Sequence, residues 1–172
     1  MDQRERILEA TQDLTTATGK VPSIRAIAQA VGLTKQGVLH YFPSREALDA
    51  AVLLRAVARV DAAMAEAAAG GSPTATYLRL SSPDDGDRAA LMVLATGSRG
   101  HESELPPQVR QAAARWEALI AEELGDPVRA EVVRLVGDGL FGEALVTGTP
   151  PTAERIERLL THLRAGSTRQ RA

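Results

Sequence analysis

The chain has no cysteine, which removes disulfide bridges, thiol nucleophiles and thiolate metal sites in one step. Aromatic residues make up only 3% of it, so a core must be packed mainly from Ala, Leu and Val. That scarcity also argues against a stacked aromatic cage for planar cations, where each cation over a ring gains about 0.5–2 kcal/mol. The three histidines, His40, His101 and His162, show no metal-ligand spacing. Neither a phosphate-cradling glycine loop nor a Ser/His/Asp grouping is present, and the His101-Glu102 pair is what any polar loop supplies by chance. An enzyme is therefore not expected, and no cofactor or metal is implied. No signal peptide opens the sequence, and no apolar run approaches the 18 or so residues that span a bilayer. The expectation is a cytoplasmic protein without a membrane partner.

An excess of positive charge is missing too. The net charge is −2, and residues 1–50 are neutral, with six basic side chains (Arg4, Arg6, Lys20, Arg25, Lys35, Arg45) against six acidic ones (Asp2, Glu5, Glu9, Asp13, Glu46, Asp49). Distribution matters more than the sum. The acids gather toward the first predicted helix, residues 3–18, while Arg25, Lys35 and Arg45 surround the stretch that follows. Such a balance disfavours tight non-specific binding to nucleic acid or an anionic membrane. It suits a site-selective binder with few phosphate contacts.

Residues 23–42 are the most informative part of the chain. Pro22 blocks a helix from upstream and Ser23 is a good N-cap. Ile24, Ile27, Ala28 and Val31 recur at i, i+3, i+4 and i+7, one apolar stripe on a two-turn helix. Gly32 stands where a helix end wants positive φ, Leu33 plugs the corner, and Thr34 caps a second helix beginning at Lys35. Val38 and Phe42 then point inward, leaving Lys35, Gln36, Gly37, His40 and Tyr41 outward. A helix, a glycine corner and a second helix make a helix-turn-helix, whose second helix enters the DNA major groove. Lys can donate to guanine O6 and N7, Gln can pair with adenine N6 and N7, and Gly37 permits close backbone approach. Capped helix pairs with polar outer faces also occur in proteins that never meet DNA, so the pattern alone does not decide.

The run Ile27 to Leu48, Ile-Ala-Gln-Ala-Val-Gly-Leu-Thr-Lys-Gln-Gly-Val-Leu-His-Tyr-Phe-Pro-Ser-Arg-Glu-Ala-Leu, resembles the DNA-binding signature of the tetracycline-repressor (TetR) family. Gly32, Leu33, Thr34, Tyr41, Phe42, Arg45, Glu46 and Leu48 stand at the matching places, and the likeness covers about residues 4–50. One departure is Leu39, where the family often has a phosphate-touching Tyr; His40 or Tyr41 would have to take over. The resemblance implies an all-α fold. An N-terminal three-helix DNA-binding domain with the helix-turn-helix (residues 1–46) would precede a C-terminal helical bundle for ligand binding and dimerisation (residues 47–172). It implies a homodimer on a palindromic operator, released by a small-molecule effector. Lys35 and Gln36 would read bases, Arg25 a base or phosphate, and Thr34, His40, Tyr41 and Arg45 phosphates, with Gly37 at the DNA surface. A helix-turn-helix regulator controlled by a protein partner instead of a small molecule is the alternative.

Beyond Pro43-Ser44 an Ala-rich stretch runs unbroken to Ala69 and should be one long helix. Breaks at Gly70-Gly71-Ser72-Pro73 and Ser82-Pro83-Asp84-Asp85-Gly86 bound a short helix over 74–80. Ala89 to Ala95, apolar all round, reads as a fully enclosed helix. A loop over 97–107 precedes a helix over 107–124 carrying Trp116, then Gly125-Asp126-Pro127 restarts the chain as a helix over 128–147. Thr152 caps a last helix, and 166–172 reads as a frayed basic tail.

Two further expectations follow from the family plan. The Gly137/Gly139/Gly142 face and the Ile156/Leu159/Leu160/Leu163 stripe would be covered by the partner subunit. Met64, Tyr77, Met92, Trp116 and Phe141 would wall a mainly aliphatic ligand pocket, with Arg99 or His101 at its mouth; ordinary core packing is the plainer reading of each.

Overall fold

The computed structural model describes residues 2–97 and 106–165, and within them every regular element is an α-helix. In order these are α1 (Gln3–Thr18), α2 (Ile24–Ala30), α3 (Lys35–Tyr41), α4 (Arg45–Gly70), α5 (Pro73–Leu80), α6 (Asp85–Gly97), α7 (Pro107–Leu124), α8 (Pro127–Thr147) and α9 (Ala153–Ala165). The tail 166–172, Arg99 and His101 lie outside the described residues. By packing, the chain divides into two compact units. The first takes residues 1–57 and 84–106, the second 58–83 and 107–172. The boundary at 46/47 expected from the sequence falls in the first turn of α4, whose opening half packs with α1–α3.

The first unit is built on Ile7, Leu8, Ile27, Ala28, Val31, Val38, Phe42, Leu48, Val52 and Leu53, all buried. On α1 the buried stripe is Ile7, Leu8, Thr11 and Thr15, with Leu14 half-buried and Ala17 exposed. Burying threonine is tolerable because each hydroxyl has an internal acceptor: Thr11 donates to the Ile7 carbonyl at 2.7 Å and Thr15 to the Thr11 carbonyl at 2.6 Å. Helix α6 starts earlier than expected, at Asp85, because Asp84 and Asp87 cap each other. The Asp87 N–H donates to Asp84 Oδ1 at 2.9 Å, and the Asp84 N–H to Asp87 Oδ2 at 3.1 Å. It is not enclosed all round: Ala89, Ala90 and Val93 are buried, whereas Leu91 and Met92 are half-exposed and Ala95 exposed.

In the second unit one cluster joins Met64 of α4, Ala75 and Leu78 of α5, Ile120 of α7, Ala130, Val133 and Leu140 of α8, and Ile156 and Leu160 of α9. Polar ties brace it. Glu123 receives the Ser72 hydroxyl at 2.5 Å and the Thr74 N–H at 2.7 Å, satisfying the start of α5. Asp126 caps α8 by accepting from Val128 and Arg129, with Pro127 in the first turn.

Candidate nucleic-acid interface

The helix pair forms as its residues dictate. The Ser23 hydroxyl oxygen accepts the Ala26 N–H at 3.2 Å, opening α2. Gly32 takes φ +71°, and the Leu33 N–H then reaches back to the Ala28 carbonyl at 2.8 Å, closing the corner. Thr34 opens α3 by accepting the Gly37 N–H at 3.0 Å. Its hydroxyl proton is not consumed by that bond, so the exposed Thr34 can still donate outward. Val38 and Phe42 are buried, at 0% and 1% exposure, which fixes the opposite side of α3 toward solvent.

On that solvent side the structure gathers Lys35, Gln36 and His40, all exposed, with Gly37 and Tyr41 partly so. His40 and Tyr41 meet edge to face, ring centroids 5.4 Å apart. Gly37 has a telling environment. A Cβ placed there would come no closer than 3.4 Å to Leu33 and Thr34, which is ordinary contact. The chain's own packing therefore does not require glycine at this position, although glycine costs about 1 kcal/mol in a helix relative to Ala. Arg25 is exposed on the first turn of α2.

Arg45, expected at a phosphate, has its guanidinium engaged within the chain. Nε donates to both oxygens of Asp49, at 2.8 and 2.9 Å, and Nη1 to the Pro22 carbonyl at 2.5 Å. Two residues that carry no expectation from the sequence matter here. Arg4 of α1 donates from Nη1 to the Tyr41 carbonyl at 3.1 Å and lies over the Phe42 ring, 4.3 Å from its centroid. Asp49 holds Arg45, a pairing that its i, i+4 spacing already suggests. Glu46, in the first turn of α4, has its carboxyl held below the ordinary range by its own backbone N–H and the Ser44 hydroxyl.

The residues expected to line a ligand pocket divide between the two units. Met92 lies in the first unit, and Met64, Tyr77, Trp116 and Phe141 in the second. Met64 is fully buried in the cluster described above. The Trp116 indole N–H donates to Asp61 at 2.7 Å, and the Tyr77 hydroxyl to Asp138 at 2.8 Å, the two rings lying 6.4 Å apart. Burial foremost, then the bond to Asp138, pushes the Tyr77 phenol above the usual tyrosine range.

Among the expected dimer residues, Gly137, Ile156 and Leu160 face the chain's own core. A Cβ at Gly137 would sit 2.5 Å from Tyr77 Cε1, and Ile156 and Leu160 are 5% and 1% exposed. The glycine is there to admit the Tyr77 ring, not a partner. Leu159 and Leu163 are half-buried against the same core. Gly139 and Gly142, in contrast, have nothing within 4 Å of an added Cβ. They continue a stripe of exposed apolar residues along α8, Val128, Val132, Leu135 and Val146, spaced alternately by four and three residues. Heptad spacing could have marked that stripe in the sequence.

Comparison with known proteins adds the following. A family model described as tetracyclin repressor-like, C-terminal domain, matches residues 71–167. The multidrug binding protein EbrR, solved with imidazole, is 25% identical, with 95% of each chain covered and a TM-score of 0.65. A protein solved as the molecular basis for control of antibiotic production by bacterial hormones is 27% identical over 96% of this chain and 95% of its own, with a TM-score of 0.63. A transcriptional regulator from Rhodococcus sp. Rha1 shares the fold at 21% identity, with a TM-score of 0.72 over 98% of this chain and 97% of its own. No curated protein matches significantly in sequence.

Proposed function

The chain belongs to the tetracycline-repressor family of transcriptional regulators, and from that premise we propose that it represses transcription by binding a palindromic operator as a homodimer. The observation that carries this reading is the outer side of α3. Base-reading side chains, Lys35 and Gln36, stand in its first turn beside a glycine that the chain's own packing does not need. Lys35 donates to guanine and Gln36 pairs with adenine, while Thr34, His40 and Tyr41 hold phosphates and Arg25 supports from α2. Residues 1–46 form the reading module, and 47–172 carry regulation and dimerisation.

The partner subunit covers the outer stripe of α8, Val128, Val132, Leu135, Gly139, Gly142 and Val146. Exposures of 67%, 42%, 55% and 89% at Val128, Val132, Leu135 and Val146 leave an apolar ridge that water wets in the lone chain. Two glycines in that ridge let a facing helix approach closely. A two-fold dimer places its recognition helices about 34–36 Å apart, one DNA turn, or a multiple of that.

A small molecule releases the operator. The family premise supports this, as does the relative solved with imidazole. Trp116 is the built-in reporter, because its indole bond to Asp61 makes its emission sensitive to rearrangement of α7 against α4. A metabolite that frees the DNA should shift that emission over the same concentration range. Release without any change at Trp116, or release only by an added protein, would favour control by a partner protein.

Lys35→Ala tests the base assignment. It should cost about 1–3 kcal/mol on the preferred duplex and relax preference at one position in each half-site. Uniform weakening on every duplex, with a shallower salt dependence, would make Lys35 a phosphate contact.

A further inference from the structure

Two side chains and a backbone carbonyl meet at the entry to α2: Arg45, at the start of α4, Asp49 one turn later, and the carbonyl of Pro22, the residue before the Ser23 cap. Asp49 shares the Nε–H between its two oxygens while the Pro22 carbonyl accepts from Nη1, so two nitrogens of the planar guanidinium are engaged and its orientation is set. Held that way, it presents Nη1 to a carbonyl outside any helix ladder. The bond staples the start of α2 to α4 across 23 residues of sequence.

The opposite end of the helix pair has a comparable brace. The Tyr41 carbonyl belongs to the last turn of α3, where carbonyls lack intrahelical partners, and Arg4 supplies the donor from α1. Its charge also complements the negative end of the helix, and its flat face covers Phe42. Arg45 thus fixes where α2 begins and Arg4 where α3 ends.

We propose that Arg45 is a positioning residue that sets the pose of the recognition helix, with Arg4 as its counterpart, and is not itself a phosphate contact. The inference rests on the DNA-binding reading above. A phosphate approaching Arg45 would meet the Asp49 carboxylate already seated on the guanidinium and the Glu46 carboxylate in the same helical turn. Two anions beside the cation offset its attraction for a third. Lysine could not replace it, because a point charge cannot grip a carboxylate with one nitrogen and a carbonyl with another at a fixed angle.

Charge-preserving and charge-removing variants separate the two roles. The probe is a labelled duplex recovered by the wild-type protein from a random-sequence pool, titrated over a range of salt. Arg45→Lys keeps the charge and breaks the fork; Asp49→Asn frees the guanidinium of its anion. For a positioning residue both weaken binding about tenfold, the worth of one charge-assisted bond, and both leave the slope of affinity against salt unchanged. For a phosphate contact Arg45→Lys would bind as wild type and Asp49→Asn would bind tighter; either result overturns the proposal. Amide hydrogen exchange at Ala26 and Ile27, the first protected amides of α2, needs no DNA. Both variants should speed it while the protein stays folded, and unchanged protection overturns the staple. If the wild type recovers no duplex at all, the DNA reading falls, and the exchange result still decides the staple by itself.

Discussion

Replacing Gly137 by alanine should destabilise the protein, although alanine is the better helix former. The substituent would sit 2.5 Å from Tyr77 Cε1, and 2.9 Å from both Tyr77 Cδ1 and Ser81 Oγ. A long aliphatic chain could swing clear of such a contact, but Tyr77 cannot do so cheaply. Its ring is stiff and its hydroxyl is tied to Asp138, one residue beyond the substitution on the same helix. Overpacking of this kind costs about 1–3 kcal/mol. Losing the phenol–carboxylate bond adds about 1 kcal/mol. Helix propensity returns about 1 kcal/mol. The expected net loss is therefore about 1–3 kcal/mol, measured by urea unfolding at fixed protein concentration. Gly139→Ala and Gly142→Ala supply the contrast, because an added Cβ there meets nothing in the chain. If a partner helix lies against them, each weakens the dimer, and its midpoint becomes more dependent on concentration. A Gly137→Ala protein as stable as wild type would refute the reasoning about Tyr77. Gains of about 1 kcal/mol at Gly139 and Gly142, independent of concentration, would show that face open to water.

Gly37→Ala should raise thermal stability by about 1 kcal/mol and lower operator affinity, a change of opposite sign in the melt and the binding curve. Equal or tighter DNA binding would mean that the backbone of α3 does not approach the duplex. Tyr77→Phe should remove an alkaline contribution to stability. The folded phenol is raised above its unfolded value near 10, so the contribution is complete below that pH and is lost as pH rises through the higher folded value. Of the two tyrosines in the chain, Tyr77 should give no tyrosinate absorbance until unfolding begins. Ionisation of both in the folded protein would contradict its burial and its bond to Asp138.

Local chemistry explains which features could be read from the sequence. Ser23, Gly32 and Thr34 act through the backbone within three residues of themselves, so the helix-turn-helix was legible to within a residue. The reciprocal Asp84–Asp87 cap is equally local, yet the sequence there reads as a break, because Pro83 and Gly86 flag a turn more loudly than two carboxylates flag a helix start. Direction of burial was harder to read. Gly137, Gly139 and Gly142 are alike in sequence, but only Gly137 faces Tyr77, a residue 60 positions away. The Ile156/Leu160 pair shows the same limit: periodicity marks a buried face without saying whether its cover comes from the same chain. The bond from Arg45 to the Pro22 carbonyl leaves no mark in the local sequence, because tertiary packing brings the two together.

Selection of duplexes from a fully random pool, with no operator assumed, tests the central claim most directly. The protein should enrich inverted repeats whose half-site centres lie about one helical turn, or a multiple of it, apart. A guanine should recur at one position of each half-site, and the enrichment at that position should disappear with Lys35→Ala while the repeat itself persists. A pool that emerges without symmetry or sequence preference, or one that Lys35→Ala leaves unaltered, would contradict the account of α3 as the operator-reading helix.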